Sequence, residues 1–200
     1  MLFAISGSQG SGKSTVLSSL KDKAFPVIGR KTSRSIMSEW GVTLSEINND
    51  RDLTVKFQDE ILRRKIDDDK DAANDPSRIY FTERTLADFF TYALIAIGKD
   101  NEYSNWINEY YKRCCEAQKA YNHNFYLTQI SKLEHDGVRG SNKFYAGMVD
   151  VVMRDVQSQM YKDSYVSGTE EYEGPNTTII TAQVNDARVN EILRTISRYI

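Results

Sequence analysis

A glycine-rich run near the start of the chain has the residue types and spacing of a phosphate-binding loop. The run comprises Gly7, Ser8, Gln9, Gly10, Ser11, Gly12, Lys13, Ser14 and Thr15. Loops of this kind curl backbone N–H groups around phosphate oxygens at a helix N-terminus, while the lysine contacts the outer phosphates and the serine hydroxyl coordinates Mg²⁺. We therefore expect residues 7–15 to bind ATP, with Lys13 catalytic and Ser14 a metal ligand.

The second group that could do chemistry is Glu83-Arg84-Thr85, which follows a short apolar run. A carboxylate at the end of a strand could accept the proton of an acceptor hydroxyl or hold Mg²⁺ through water, and the guanidinium beside it could balance phosphate charge. A surface ion pair is the simpler alternative. We predict that Glu83 and Arg84 are catalytic, and the sequence leaves open whether Glu83 is a base or a metal ligand.

A polar segment in the second half of the chain could close over the reacting phosphates. Asp136-Gly-Val-Arg139 lies between a predicted strand and a predicted helix. A kinase must keep water away from the transferring group, and an arginine-bearing lid with a glycine hinge would do so. We predict a lid at about 131–145 with Arg139 catalytic, against the alternative of a plain solvated loop.

Basic residues also follow a predicted strand near position 28. Arg30, Lys31 and Arg34 bring three positive charges to this segment. Arginine pairs well with phosphate oxygens, so we expect these residues to bind an acceptor that carries a phosphate. A basic surface patch would explain them equally.

The elements that must position these groups follow from hydrophobic periodicity. Apolar runs predict five strands, at 1–6, 25–28, 78–82, 124–128 and 177–181. Helical spacing predicts helices at about 15–20, 53–67, 86–97, 103–121, 144–161 and 187–199, and we interpret the acidic run 67–71 as a solvated turn. Strands that alternate with helices predict an α/β fold, a five-stranded parallel sheet with helices on both faces, in a single domain spanning 1–200.

Several helical side chains are expected in the core or without a chemical role. Cys114 and Cys115 are adjacent in a predicted helix, where a mutual disulfide is geometrically awkward, so we expect neutral thiols. The helix at 144–161 is expected to turn Phe144, Met148, Val152 and Val156 inward. The two histidines have no partner at metal-ligand spacing, which argues against zinc.

Composition narrows the classes of partner. The formal net charge of −2 and the pI of about 5.8 give no overall field that would draw the protein onto duplex nucleic acid. The longest apolar stretch, 89–97, is too short to span a bilayer, and we expect a cytoplasmic protein without a membrane partner. Neither a base-reading Asn-Lys-x-Asp segment nor an apolar strand ending in adjacent acids is present, which disfavours GTPases and oligomeric ATPases.

The chain resembles the small P-loop kinases typified by the nicotinamide riboside kinase domain, together with bacteriophage-encoded nucleotide kinases. The resemblance rests on the segments 7–15, 30–36, 57–58, 63–64, 82–85, 136–139 and 185–188, and on Asp88 and Tyr92. It implies a role for Asp88 in acceptor binding and for Asn185 in nucleotide binding. Many such kinases carry an acid just after the second strand where this chain has Arg30 and Lys31, so Glu83 is the best remaining acid.

The function expected from these features is ATP- and Mg²⁺-dependent phosphoryl transfer to a nucleoside or nucleotide. The leading acceptor is a deoxynucleoside monophosphate, because of the basic residues described above. One alternative is a phage kinase that phosphorylates a hydroxymethylated base in DNA. The other is a P-loop regulatory ATPase or nucleotide sensor without an acceptor. The sequence leaves a homodimer open.

Overall fold

The computed structural model describes residues 1–28, 33–130, 143–165 and 176–200. Within these ranges, four strands form one parallel sheet in the order β2-β1-β3-β4. The strands are β1 (Leu2–Ser6), β2 (Tyr80–Glu83), β3 (His123–Leu127) and β4 (Asn176–Ile180). β1 and β3 are buried along their whole length, as inner strands of a sheet covered on both faces must be.

Helices connect the strands, as parallel pairing requires. They are α1 (Lys13–Asp22), α2 (Ser33–Trp40), α3 (Leu44–Asn49), α4 (Arg51–Ala73), α5 (Leu86–Ile97), α6 (Ser104–Gln118), α7 (Lys143–Tyr165) and α8 (Asn185–Ile196), with a short 3-10 helix at Asn101–Tyr103.

Two apolar layers enclose the sheet, one on each face. Alternate residues of a strand point to opposite faces, so Leu2 and Ala4 join a cluster with α4, α5, α6 and α7, whereas Phe3 and Ile5 join a cluster with α1 and α8. The expected α/β fold with helices on both faces is therefore confirmed. Because every strand is parallel, all their carboxyl ends meet at one edge, where ligands of such sheets bind.

The expected fifth strand, at 25–28, does not form among the described residues. This segment makes a single bridge between Val27 and Phe81. The Ile28 N–H donates to the Phe81 carbonyl at 2.8 Å and the Phe81 N–H donates to Pro26 at 2.9 Å. Pro26 has no N–H of its own, so the pairing cannot extend further toward the start of this segment, and the described residues form four strands rather than the predicted five.

The acidic run 67–71 is helical, and its interpretation as a solvated turn is wrong. α4 continues to Ala73. Asp69 within the run is buried and accepts hydrogen bonds from Lys65, Thr82 and Tyr121, so tertiary partners stabilise a helix that its charge pattern alone would disfavour.

Two helices that the periodicity did not predict, α2 and α3, cover the side of α4. Each is short and buries one apolar residue, Ile36 and Ile47, against Phe57, so neither carries a repeating apolar pattern. The start of α3 was readable, because Thr43 and Glu46 form a reciprocal capping box.

The inward face of α7 also differs from the prediction. Phe144 and Met148 are exposed, at 77% and 45%, while Val149, Met153 and Val156 are buried. The apolar residues of α7 surround more of the helix than one stripe, so periodicity did not determine which of them faces the sheet. Cys114 and Cys115 are free and buried as expected, and burial raises the pKa of both thiols.

Candidate active site

The glycine-rich loop leaves β1 and leads into α1 at the carboxyl edge of the sheet. Gly7 has φ of 138°, and a methyl group in place of its hydrogen would lie 2.5 Å from the Leu127 carbonyl oxygen, so no other residue fits there. Gly12 caps the start of α1 in the left-handed region, with φ of 79°. The loop therefore turns its backbone toward the N-terminus of α1, the arrangement that binds anions.

Lys13 lies inside this loop rather than in solvent. Its Nζ donates to the carbonyl oxygens of Gly7 at 2.7 Å and Ser8 at 2.9 Å. Ser14 and Thr15, the next residues of α1, are exposed. The predicted phosphate-contacting ammonium and the predicted Mg²⁺ hydroxyl thus flank the same turn.

The end of β2 places Glu83 and Arg84 directly beside the loop. Glu83 is the register partner of Ile5, two residues before Gly7, and the Arg84 N–H donates to the Ile5 carbonyl at 2.8 Å. The Glu83 side chain is half-buried, and its carboxylate forms no hydrogen bond with any residue in the described ranges. It is therefore available to an acceptor hydroxyl or to a hydrated cation.

Arg84 is held in an unusual backbone conformation. Its φ is 71°, which is uncommon for a residue other than glycine, asparagine or aspartate and is often found at functional sites. The guanidinium lies over the Tyr92 ring, 5.1 Å from its centroid, and Nη1 is 3.9 Å from Asp88 Oδ2. Both of these atoms are buried and have no hydrogen-bond partner among the residues that the structure describes. Arg84 Nη1 is therefore a donor without a hydrogen bond inside the described structure, and its contact with a phosphate stays a prediction.

Asp88 connects the end of β1 with the start of α5. It is fully buried, and Oδ1 accepts hydrogen bonds from the Ser6 hydroxyl and, at 2.8 Å, from the Thr85 hydroxyl. Thr85 in turn caps α5. These contacts suit a residue that positions Arg84 and the end of β1, while the predicted direct contact of Asp88 with an acceptor stays a prediction.

A buried ion pair beneath the end of β2 was missed by the sequence reasoning. Lys65 is 1% exposed, and its Nζ lies 2.9 Å from Asp69 Oδ2. The same ammonium donates to the Thr82 hydroxyl at 2.6 Å and to the Glu83 carbonyl at 3.1 Å. Lys65 thus fixes the backbone that carries the candidate base. Lys65 and Asp69 lie four residues apart, a spacing at which side chains on a helix are neighbours. This spacing would have indicated the ion pair if the acidic run 67–71 had been predicted as helical.

Asp150 of α7 provides a second contact that the sequence reasoning missed. Its Oδ1 accepts hydrogen bonds from the Ser8 hydroxyl at 2.9 Å and from the Tyr126 hydroxyl at 2.8 Å. Arg154 pairs with Oδ2 at 3.1 Å. α7 is therefore attached to the phosphate loop itself. An acid between Val149 and Val151 on a helix facing the sheet was the available signal.

Arg188 of α8 contacts the loop from another direction. Its guanidinium is buried and donates to the carbonyl oxygens of Ser11, Thr128 and Ala182. Arg188 lies within the segment 185–188 that contributes to the family resemblance, but the sequence predicts no role for it. Because it comes from the last helix, only the folded chain brings it to the loop.

The remaining predicted site residues are more distant or lie outside the described ranges. Asn185 begins α8 and donates to the Ser19 hydroxyl of α1 at 2.8 Å, so its predicted nucleotide contact stays a prediction. Arg34 is exposed on the first turn of α2. Arg30, Lys31 and Arg139 lie outside the described residues, as does most of the predicted lid at 131–145, whose last three residues begin α7.

The site's oxygen donors fit Mg²⁺ bound together with a nucleotide. Among the described residues, no group of three or more His, Cys, Asp or Glu side chains could hold a metal ion. Mg²⁺ in nucleotide sites takes one or two protein oxygens and completes its shell with water and phosphate. Ser14 and Glu83 supply such oxygens here.

In the part of the chain that the structure covers, no helix is both long and apolar enough to cross a membrane.

Known proteins share this fold. A protein family described as AAA domain matches residues 2–162. A deoxyadenosine kinase from M. mycoides with bound dATP superposes with a TM-score of 0.61 at 16% identity, over 98% of this chain and 100% of that one. NadR protein in complex with NR superposes with a TM-score of 0.63 at 14% identity, over 99% of this chain and 51% of that one. No curated protein sequence matches significantly.

These identities are low enough that the superpositions establish the fold and nothing finer. The chain spans about half the length of NadR. The resemblance inferred from the sequence is confirmed at this level.

Proposed function

Because the chain belongs to the AAA domain family and has the fold of P-loop nucleoside kinases, we propose that it transfers the γ-phosphoryl group of ATP to a hydroxyl of a nucleoside or nucleotide. The observation that carries the proposal is the register of β2 on β1. It sets a carboxylate and a guanidinium, Glu83 and Arg84, beside the loop that would hold the phosphates.

In the proposed reaction the acceptor oxygen forms a bond to the γ-phosphorus, and the bond from that phosphorus to the oxygen bridging it to the β-phosphate breaks. The Glu83 carboxylate takes the acceptor proton, and ADP leaves. Lys13 and Arg84 balance the charge on the transferring group, with Arg139 added from the predicted lid. The Ser14 hydroxyl, with Glu83 acting through water, would hold Mg²⁺, and the ion would add charge neutralisation on the phosphates.

The class of acceptor is a finer proposal. The similar structures are a deoxyadenosine kinase and a protein in complex with NR, which favours a nucleoside. Arg34 is exposed with no described partner and follows Arg30 and Lys31 in sequence, which favours a monophosphate. Replacing Arg34 with Ala separates the two: it should raise KM for a deoxynucleoside monophosphate by roughly tenfold, as expected for one lost charged hydrogen bond, and leave KM for a nucleoside unchanged.

A second candidate function is ATP hydrolysis without an acceptor, since the matching family is described by its AAA domain rather than by an acceptor. Such a protein would release phosphate at a rate indifferent to added nucleosides. The position of Glu83 beside the loop suits a base that takes a proton either from an acceptor hydroxyl or from an attacking water.

The experiment that tests both is a screen of nucleosides, monophosphates and hydroxymethylated DNA with γ-labelled ATP and Mg²⁺. We expect label on one free nucleoside or nucleotide. Lys13→Ala should lower this transfer by about 10²-fold or more, and Glu83→Gln by about 10² to 10⁴-fold, with the fold retained. Lys112→Ala, at an exposed ion pair on α6, is the matched control and should be silent. If all of the label appears as inorganic phosphate, the protein is a hydrolase. If the label appears on DNA alone, the protein is a DNA kinase.

A further inference from the structure

The guanidinium of Arg188 is buried beside the phosphate loop, and no described residue gives it an acidic partner. Arg188 is 1% exposed. Its Nε donates to the Ala182 carbonyl at 2.5 Å, Nη2 donates to the Thr128 carbonyl at 2.8 Å, and Nη1 donates to the Ser11 carbonyl. None of the ion pairs formed among the described residues includes Arg188. Three carbonyl dipoles therefore hold a full positive charge away from water.

A buried cation of this kind is costly unless an anion compensates it. Burial lowers the pKa of Arg188, because removal from water disfavours the charged form of the guanidinium. An arginine nevertheless stays protonated in proteins, so the positive charge remains and acts on its surroundings through a low dielectric. A negative group that binds nearby would be attracted more strongly than it would be by an exposed arginine.

The surroundings of this charge are the anion-binding turn itself. Ser11, whose carbonyl Nη1 contacts, lies within the loop, and a methyl group built on Gly12 would lie 3.3 Å from Nη1. Gly12 caps α1, and backbone N–H groups at a helix N-terminus are suited to binding phosphate. Thr128 and Ala182 follow β3 and β4, so one side chain joins the ends of two strands to the turn.

We propose that Arg188 is a positioning residue for a polyphosphate ligand. It fixes the Ser11–Gly12 turn in the conformation that presents its amides, and its buried charge complements the phosphates across the turn. This inference rests on the nucleotide-binding half of the proposed function and on no particular acceptor. The chemistry recognised is a chain of phosphates, so inorganic tripolyphosphate is a sufficient probe.

The test is to measure the Kd of tripolyphosphate and of ATP by calorimetry for the wild-type chain, Arg188→Gln and Arg188→Lys, well below the unfolding temperature of each. Gln keeps some donors and removes the charge, so both Kd values should rise at least tenfold. Lys keeps the charge and loses the three-way fork, so both should rise about three- to tenfold.

Ile192→Ala is the matched control, because Ile192 lies one turn further along α8, is fully buried and contacts the apolar cluster rather than the loop. It should lower the unfolding temperature while leaving Kd within twofold of wild type. A Gln variant that loses thermal stability but keeps its tripolyphosphate Kd within twofold would overturn the proposal. If the Gln variant does not fold, an unchanged Kd for the Lys variant overturns it instead. Failure to phosphorylate any acceptor would refute the kinase proposal and leave this binding result intact.

Discussion

Arg84 combines two properties at one position, a left-handed backbone and a guanidinium with an unpaired donor. The left-handed backbone conformation is unfavourable for any residue with a Cβ, so it lowers stability. The same conformation places the guanidinium over the Tyr92 ring, beside Glu83. A conformation that lowers stability is retained at functional sites where the geometry it creates is needed. Stability and activity should therefore separate at this residue.

Two substitutions at position 84 test this separation. Arg84→Ala and Arg84→Gly both remove the guanidinium, so both should lower phosphoryl transfer by about 10²-fold or more. Gly also accepts φ of 71° without strain, so its free energy of unfolding should exceed that of the Ala variant by about 1 kcal/mol. Urea denaturation of the two proteins measures the difference. Equal stability would mean that the backbone is not strained, and wild-type activity in either variant would remove Arg84 from the mechanism.

At the scale of elements, α4 does more than cover the sheet. Its Lys65 contacts the carbonyl of Glu83, and its Asp69 contacts Thr82, so the helix fixes the end of the strand that carries the candidate base. Tyr121, just before β3, donates to the same carboxylate at 2.7 Å. One buried polar network thus joins α4, β2 and the start of β3.

Removing one member of this network should be far more damaging than removing a surface pair on the same helix. Lys65→Met leaves the Asp69 carboxylate buried and unpaired, for which we expect a loss of about 3–5 kcal/mol in the free energy of unfolding. Arg63→Ala is the control, because the Arg63 side chain is exposed and its pairs with Glu60 and Asp67 should contribute about 1 kcal/mol or less. Chemical denaturation compares the two. Similar losses for both would show that the network is not the stabilising feature.

At the scale of the whole molecule, His123 links the sheet to the end of the chain. One ring nitrogen lies 2.9 Å from the Tyr199 hydroxyl and the other 2.9 Å from the Thr178 hydroxyl. Burial, with a smaller effect from Arg198, lowers the pKa of His123 from 6.5 to about 4. The folded state therefore keeps this ring neutral at a pH where the unfolded chain protonates it.

The lowered pKa of His123 should make the folded state less stable at acidic pH. Above pH 6.5 the ring is neutral in both states, and between pH 6.5 and about 4 only the unfolded state binds the proton, so stability falls as the pH falls. The loss should reach at most about 3 kcal/mol. Unfolding free energies of the wild-type chain and His123→Gln across this range measure it. The variant should show a flatter profile, and parallel profiles would contradict the assignment.

The sequence by itself determined the phosphate loop, the alternation of strands and helices, and the pairing of Glu83 and Arg84 as candidates. These depend on local spacing: a glycine turn between an apolar strand and a helix is set by residues that are neighbours in the chain. The same locality explains why the helices with repeating apolar faces, such as α5, were predicted and why α2 and α3 were not.

Tertiary structure alone decided which distant side chains support the loop. Asp150, Lys65 and Arg188 come from helices that lie far from Gly7 in the sequence, and their contacts with the loop or with β2 arise because parallel strands bring their carboxyl ends to one edge. It also decided that the acidic run continues α4, since only the folded chain gives Asp69 its three donors. Local pattern cannot supply these partners, because burial and long-range hydrogen bonds outweigh the propensity of a short polar segment.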